Sequence, residues 1–144
     1  MKFSDVQEDQ WEELRPYLDT CMLPVTGMSG EEQPYEATAA LERLRDVMDL
    51  IEMPFKGRVV TYPALHYVGS HAAVDKINDV CASLRGAGFR YIIVATASGK
   101  LDLAGVQADL LLRPDQTGEL PHAADVKERV SLMWNPKPAT AVSP

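Results

Sequence analysis

The sequence is poor in cysteine, in histidine and in long apolar runs, and each shortage removes a class of protein. Two cysteines, Cys21 and Cys81, are all that 144 residues contain, too few for a disulfide scaffold. Both fall on apolar positions and read as reduced core thiols. No apolar stretch approaches the roughly 20 residues that a membrane span needs. The opening segment, MKFSDVQEDQ, turns acidic before the apolar core of a signal peptide could form. Together these features lead to the expectation of a cytoplasmic protein. Lys and Arg nowhere cluster and the formal net charge is −7, so neither nucleic acid nor a membrane is expected as a partner.

The charge is unevenly spread. Residues 1–54 carry 13 Asp and Glu against 4 Lys and Arg, whereas residues 55–144 carry 8 against 10. The acidic half suits a basic protein partner and suits a solvated helix surface equally well. An apolar share of 46% with 24% charged residues is ordinary for a globular domain, and the length suffices for one core.

Hydrophobic spacing organises the chain. Trp11, Leu14 and Leu18 form one helical stripe, with Ser4 and Asp9 as candidate caps. Pro16 must shorten or kink that helix. CMLPVTG (21–27) reads as a strand, with Pro24 restricting pairing to one side or ending the strand early. From Pro34, the residues Ala37, Ala40, Leu41, Leu44, Val47, Met48 and Ile51 keep helical spacing until Pro54. RVVTYP (58–63) is a second strand. Ser70 caps a helix whose inner face is Val74, Ile77, Cys81 and Leu84, stopped by Gly86 and Gly88. YIIVATA (91–97) is apolar on both sides, the mark of a strand covered on both faces. A short helical turn over 101–106 leads to a fourth strand, ADLLLRP (108–114). Val126, Val130 and Met133 mark a last helix, ended by Asn135-Pro136.

Strands alternating with helices imply parallel pairing and right-handed crossovers. The expectation is a three-layer α/β/α domain over residues 1–135, its mostly parallel sheet of about four strands having creatininase-like or Rossmann-like topology. A Pro-rich tail follows at 136–144. In such a sheet ligands bind beyond the carboxyl ends of the strands. The candidate cleft residues are therefore Thr26, Ser29, Glu32, His66, His71, Thr96, Ser98 and Lys100, with Glu31 beside them.

Motif tests narrow the chemistry. VATASGK lacks the glycine and the Ser/Thr of a phosphate-binding loop, since Val94 and Leu101 stand at those positions. A weaker role is open to it, in which Ser98, Gly99 and Lys100 present N–H groups and one charge to an anion. His66 and His71 could ligate a metal only if acidic or cysteine partners converged on them, Glu31 and Glu32 being topologically close. Neither Ser29 nor Ser98 sits in a G-x-S-x-G nucleophile elbow. Trp11 and Trp134 fit a core or an interface; an interaction protein should expose an apolar patch, for which Trp134 and the tail are the candidate place.

Taken in order, QWEELRPYLDTCMLPVTGMSGEEQ, VVTYPALHYVGSH and GFRYIIVATASG resemble the creatininase-like amidohydrolases over roughly residues 9–100. In size and pattern the chain is also similar to the YpiF-like family of unknown function. The first resemblance implies a metal loop after the first strand and a His-bearing loop after the GFR strand. Here Pro34 stands where the implied ligand histidine belongs, and Thr96 to Lys100 contains no histidine. Only Glu32 and His71 remain of the implied ligand set, fewer than the three protein ligands a catalytic zinc keeps. The expectation is thus a non-catalytic module binding an unknown protein or small molecule, with no cofactor or metal and with a homo-oligomer left open. The alternative is a hydrolase-type enzyme working through Glu32, His66, His71 and Lys100. A third reading has the acidic helix 34–53 docking on a basic protein.

Overall fold

A single missing proton shapes the pairing of the sheet. The computed structural model describes residues 1–68 and 72–136. Its four strands are β1 (Thr20–Val25), β2 (Val59–Thr61), β3 (Tyr91–Thr96) and β4 (Leu110–Leu112), all parallel in the order β2-β1-β3-β4. β1 pairs with β3 along its whole length, but with β2 only from Thr20↔Val59 to Met22↔Thr61. The Met22 carbonyl accepts the Tyr62 N–H at 3.0 Å. The next rung would need an N–H from residue 24, and Pro24 has none. Leu65 resumes the contact, donating to the Pro24 carbonyl at 2.8 Å and accepting from the Thr26 N–H at 3.0 Å. The strand expected at 58–63 is therefore shorter, and Pro24 restricts pairing on one side as its chemistry requires.

Four helices cover the sheet: α1 (Glu8–Leu14), α2 (Pro34–Glu52), α3 (Ala73–Gly86) and α4 (Ala123–Trp134). From β1 the chain crosses through α2 to one flank, and from β2 it crosses through α3 to the other. Crossovers of one hand running in opposite directions place their helices on opposite faces. Val47 and Ile51 of α2 accordingly pack with Val126 and Val130 of α4 over Met22, Ile93 and Leu112. Ile77, Cys81 and Leu84 of α3 pack with Trp11 and Leu14 of α1 over Cys21, Leu23, Ile92 and Val94. Ile92 and Ile93, neighbours in sequence and both fully buried, thus serve two different layers.

Local details depart from expectation for identifiable reasons. α1 ends at Leu14, ahead of Pro16, but its cap position is Gln7; Ser4 lies in a 3-10 turn and Asp9 inside the helix, near its positive end. α2 starts with Pro34 at its first position and a reciprocal Gln33/Glu36 capping box. Leu41 is 46% exposed, lying about 60° around the helix from Leu44 at the edge of the apolar stripe. α3 begins at Ala73 with Ala72 in the cap position, in a left-handed conformation (φ 64°); Ser70 lies outside the described residues. The helical turn expected over 101–106 is a single turn closed by Val106 N–H on the Leu103 carbonyl, with Leu101 and Leu103 buried beneath it. β4 is short because the Asp109 carboxylate takes the Ile92 N–H (2.8 Å), doing on one side what a backbone carbonyl would do. Residues 137–144 of the expected tail lie outside the described residues. Among the described residues no helix is long and apolar enough to cross a membrane.

The amino end of the sheet is closed by a charged clamp. Arg58, just before β2, donates to both Asp19 oxygens at 2.9 and 3.1 Å, and its guanidinium lies 4.1 Å from the Trp134 ring centroid. The Trp134 indole N–H donates to Thr20 Oγ1 (2.9 Å), which itself donates to Asp19 Oδ1. Trp134 is half-buried and packs edge-on against Phe55 at 5.2 Å, so it belongs to this clamp and not to an exposed apolar patch.

Candidate functional site

β1 and β3 lie side by side, yet the chain leaves their carboxyl ends toward opposite faces. This is the switch point at which doubly wound sheets open a crevice. A crevice of about 200 Å³ lies there, lined by Thr26, Gly27 and Glu32 from the loop after β1, Ala40 and Arg43 from α2, and Ser98, Gly99 and Lys100 from the loop after β3.

Gly27 lets the two loops meet. Its φ is +77°, and a Cβ at this position would stand 3.0 Å from Ser98 Cβ and 3.1 Å from the Leu101 side chain. Only glycine accepts both the conformation and the approach. The floor of the crevice is therefore backbone.

Side chains then fix each loop. The Glu32 carboxylate accepts the Ser29 N–H (3.0 Å) and the Gly30 N–H (2.9 Å), and the Ser29 hydroxyl approaches it at 3.4 Å. The Ser29 and Gly30 amides hold the Glu32 carboxyl below its ordinary pKa, so it stays ionised as a brace for the loop. In the second loop, fully buried Thr96 accepts the Ser98 N–H on Oγ1 (3.1 Å), and Ser98 Oγ accepts the Lys100 N–H (3.3 Å). Two of the three amides expected to face an anion are thus already engaged inside the loop. What this segment offers a ligand is the Lys100 charge.

His66 sits beside the crevice, with Nδ1 3.0 Å from Thr26 Oγ1. Its neighbour Tyr67 is exposed and left-handed (φ 60°), with its ring 3.9 Å from where a Cβ on Gly30 would lie, so the loops after β1 and β2 touch. His71 lies outside the described residues. Glu31 is exposed, on the same loop as the engaged Glu32. Among the described residues no three His, Cys, Asp or Glu side chains are placed to hold a metal ion. The cysteines are buried and free, and burial pushes both thiols up, away from the reactive thiolate.

Thr26, Glu32, Ser98 and Lys100 therefore share one crevice, with Ser29, His66 and Thr96 supporting it from behind. Sequence reasoning missed Arg43 of α2, which lies between the apolar positions that defined the helix. The available signal was its position three residues after Ala40, on the side of the helix that the small alanines bring close to the loops. Arg43 reaches across to the Gly118 carbonyl at 3.4 Å. Beyond it lies a second crevice of about 540 Å³, lined by Gly99 and residues 113–118. Arg113 edges that space and donates to the Leu101 carbonyl (2.9 Å). Asp115 is turned inward onto Thr117 and the Glu119 N–H, and these bonds, Thr117's first, hold its carboxyl below the ordinary value.

The fold and crevice define a doubly wound α/β domain with its opening at the switch point. The chain belongs to the family described as "Protein of unknown function (DUF2487)", whose profile matches residues 9–111. The matched segment contains every residue lining the first crevice and stops short of Arg113 and α4. No curated protein and no solved structure matches the chain.

Proposed function

We propose that the protein is a non-catalytic binding module whose ligand occupies the switch-point crevice. One observation carries the reading: the crevice is built and charged, yet the acid that could have worked there, Glu32, has both oxygens engaged by its own loop. A worn creatininase-like scaffold and YpiF-like membership fit this reading, because Pro34 and the segment Thr96 to Lys100 replace the ligand-bearing residues of that pattern. Residues 1–135 act as one domain, and a cytoplasmic home suits the two buried free thiols.

The test is an amide-shift titration of the labelled protein with a panel of small metabolites. Ligands should move the Gly27, Ser98 and Gly99 signals, and Ala40→Leu, which fills the crevice from a helical position, should abolish the response. Responses confined to other surfaces would overturn the reading.

A second reading, hydrolysis, has one observation in its favour, the 3.0 Å approach of Thr26 Oγ1 to His66 Nδ1. Among the described residues His66 forms no ion pair with a carboxylate that would orient it as a base. Ester or amide turnover lost in both Thr26→Val and His66→Ala would favour this second reading.

A further inference from the structure

We infer that the occupant of the switch-point crevice is a small oxyanion, a phosphate or carboxylate group on a polar molecule, held between the Arg43 guanidinium and the Lys100 ammonium. The inference rests on the binding reading above and deepens it.

The charge count is the first support. The chain carries 21 acidic against 14 basic side chains, so its surface as a whole repels anions. Yet Arg43 and Lys100 line one crevice of about 200 Å³, and among the described residues neither forms an ion pair. Arg43 makes a single long hydrogen bond to a carbonyl, at 3.4 Å. Glu32 lines the same crevice and stays ionised, so two positive charges and one negative leave a net charge of +1. Its oxygens are turned onto the Ser29 and Gly30 amides and form no ion pair with Arg43 or Lys100. A concave site with a net positive charge on an otherwise acidic protein focuses the field on its opening. A guanidinium beside an ammonium matches an oxyanion, the first by paired N–H donors and the second as a point charge.

Size adds the second constraint. The first crevice accommodates an anionic head group and few further atoms. The adjoining space of about 540 Å³ shares Gly99 with it and carries Arg113, Gln116 and Thr117. A polar body attached to the anion fits there. The amino end of α2 is not the binding element, since Pro34 has no N–H to offer and the Gln33 N–H is already taken by the Glu36 carboxylate at 2.9 Å.

Amide-shift titrations of the full chain with inorganic phosphate and, separately, citrate test the inference, at constant ionic strength and with uridine as the neutral probe. Either anion should shift Gly27, Ser98 and Gly99, with binding that weakens as sodium chloride is raised. Arg43→Gln combined with Lys100→Glu should weaken it about tenfold or more, while Lys100→Arg, which keeps the charge, should retain it. Phosphate acting without citrate assigns the group as a phosphate, and the reverse assigns a carboxylate. If uridine binds, is blocked by Ala40→Leu and neither anion does, the crevice stands and the oxyanion is refuted. If no probe moves the crevice signals, or anion binding survives the charge substitutions, the inference is likewise overturned, and in the first case the binding reading with it.

Discussion

At the amino ends of the strands Arg58 is held by Asp19 through two bonds of 2.9 and 3.1 Å and covered by the Trp134 ring. At the carboxyl ends Arg43 and Lys100 face a crevice with no carboxylate partner among the described residues. Both ends contain cations and acids, but the pairing differs. Where the acid is given to the cation, as at Asp19, charge serves the fold. Where the acid is given to backbone amides, as at Glu32 and Asp115, the neighbouring cations form no ion pair among the described residues. Perturbed acids alone would not distinguish the two ends, since Asp19, Glu32 and Asp115 all titrate below their ordinary values.

The largest expected effects lie in the strand joining both ends. Ile92→Ala and Ile93→Ala should each cost about 2–5 kcal/mol in chemical denaturation, because each opens a cavity in a different layer. A nearly neutral result for one would mean that one face is not a packed layer, and the comparison of two ends of one three-layer sheet would fail. Next comes Gly27→Ala, which should cost about 2 kcal/mol or more from the left-handed backbone and the 3.0 Å approach to Ser98. A neutral outcome would show that the crevice floor can move apart.

Arg58→Ala should cost about 1–2 kcal/mol, a figure reduced because the Arg58 side chain is 38% exposed. Its pH dependence sharpens the contrast. Burial alone would raise the Asp19 carboxyl, but the bonds from Arg58 and Thr20 outweigh it and hold the pKa below 3.8. A group lowered on folding contributes stability above its unfolded pKa and loses it as pH falls through the folded value. The stability gap between the natural chain and Arg58→Ala should therefore narrow as pH drops below about 3.8. A gap independent of pH would detach Asp19 from the clamp. The smallest effect is expected at the other end: Lys100→Ala should change stability by less than about 0.5 kcal/mol while weakening anion binding. A large destabilisation would make Lys100 a structural residue like Arg58.

Much of the scaffold was legible because repeating burial leaves a repeating pattern. α2 was placed from its apolar spacing at 34–53 and occupies Pro34–Glu52, and YIIVATA gave β3 to within one residue. Strand lengths were less legible where they depend on the neighbour. β2 stops at Thr61 because of a proline on β1, and β4 is trimmed by an aspartate that bonds to β3. The site was legible only as a location. That Thr26, Glu32, Ser98 and Lys100 would meet follows from strand order, but the use of Glu32 and of the two hydroxyl turns is set by side-chain-to-backbone bonds that have no period. Arg43 was hidden because a helix position at the boundary between buried and solvated faces carries no sign of what lies across from it.

Pro24 has a kinetic consequence. Since the rung between Met22 and Leu65 cannot form, the segment after Tyr62 is fastened there by the two Leu65 backbone bonds and by the Thr26 hydroxyl, which meets the Leu65 carbonyl (3.3 Å) and His66 Nδ1 (3.0 Å). Exchange of the Leu65 and Thr26 amides with solvent deuterium then requires only that one clasp to open, whereas exchange at Ile92 and Ile93 requires β1 and β3 to separate. The strand that leads into the crevice loop is thus bonded at few points on one flank and along its whole length on the other, so the segment carrying His66 should open to exchange before the crevice floor does.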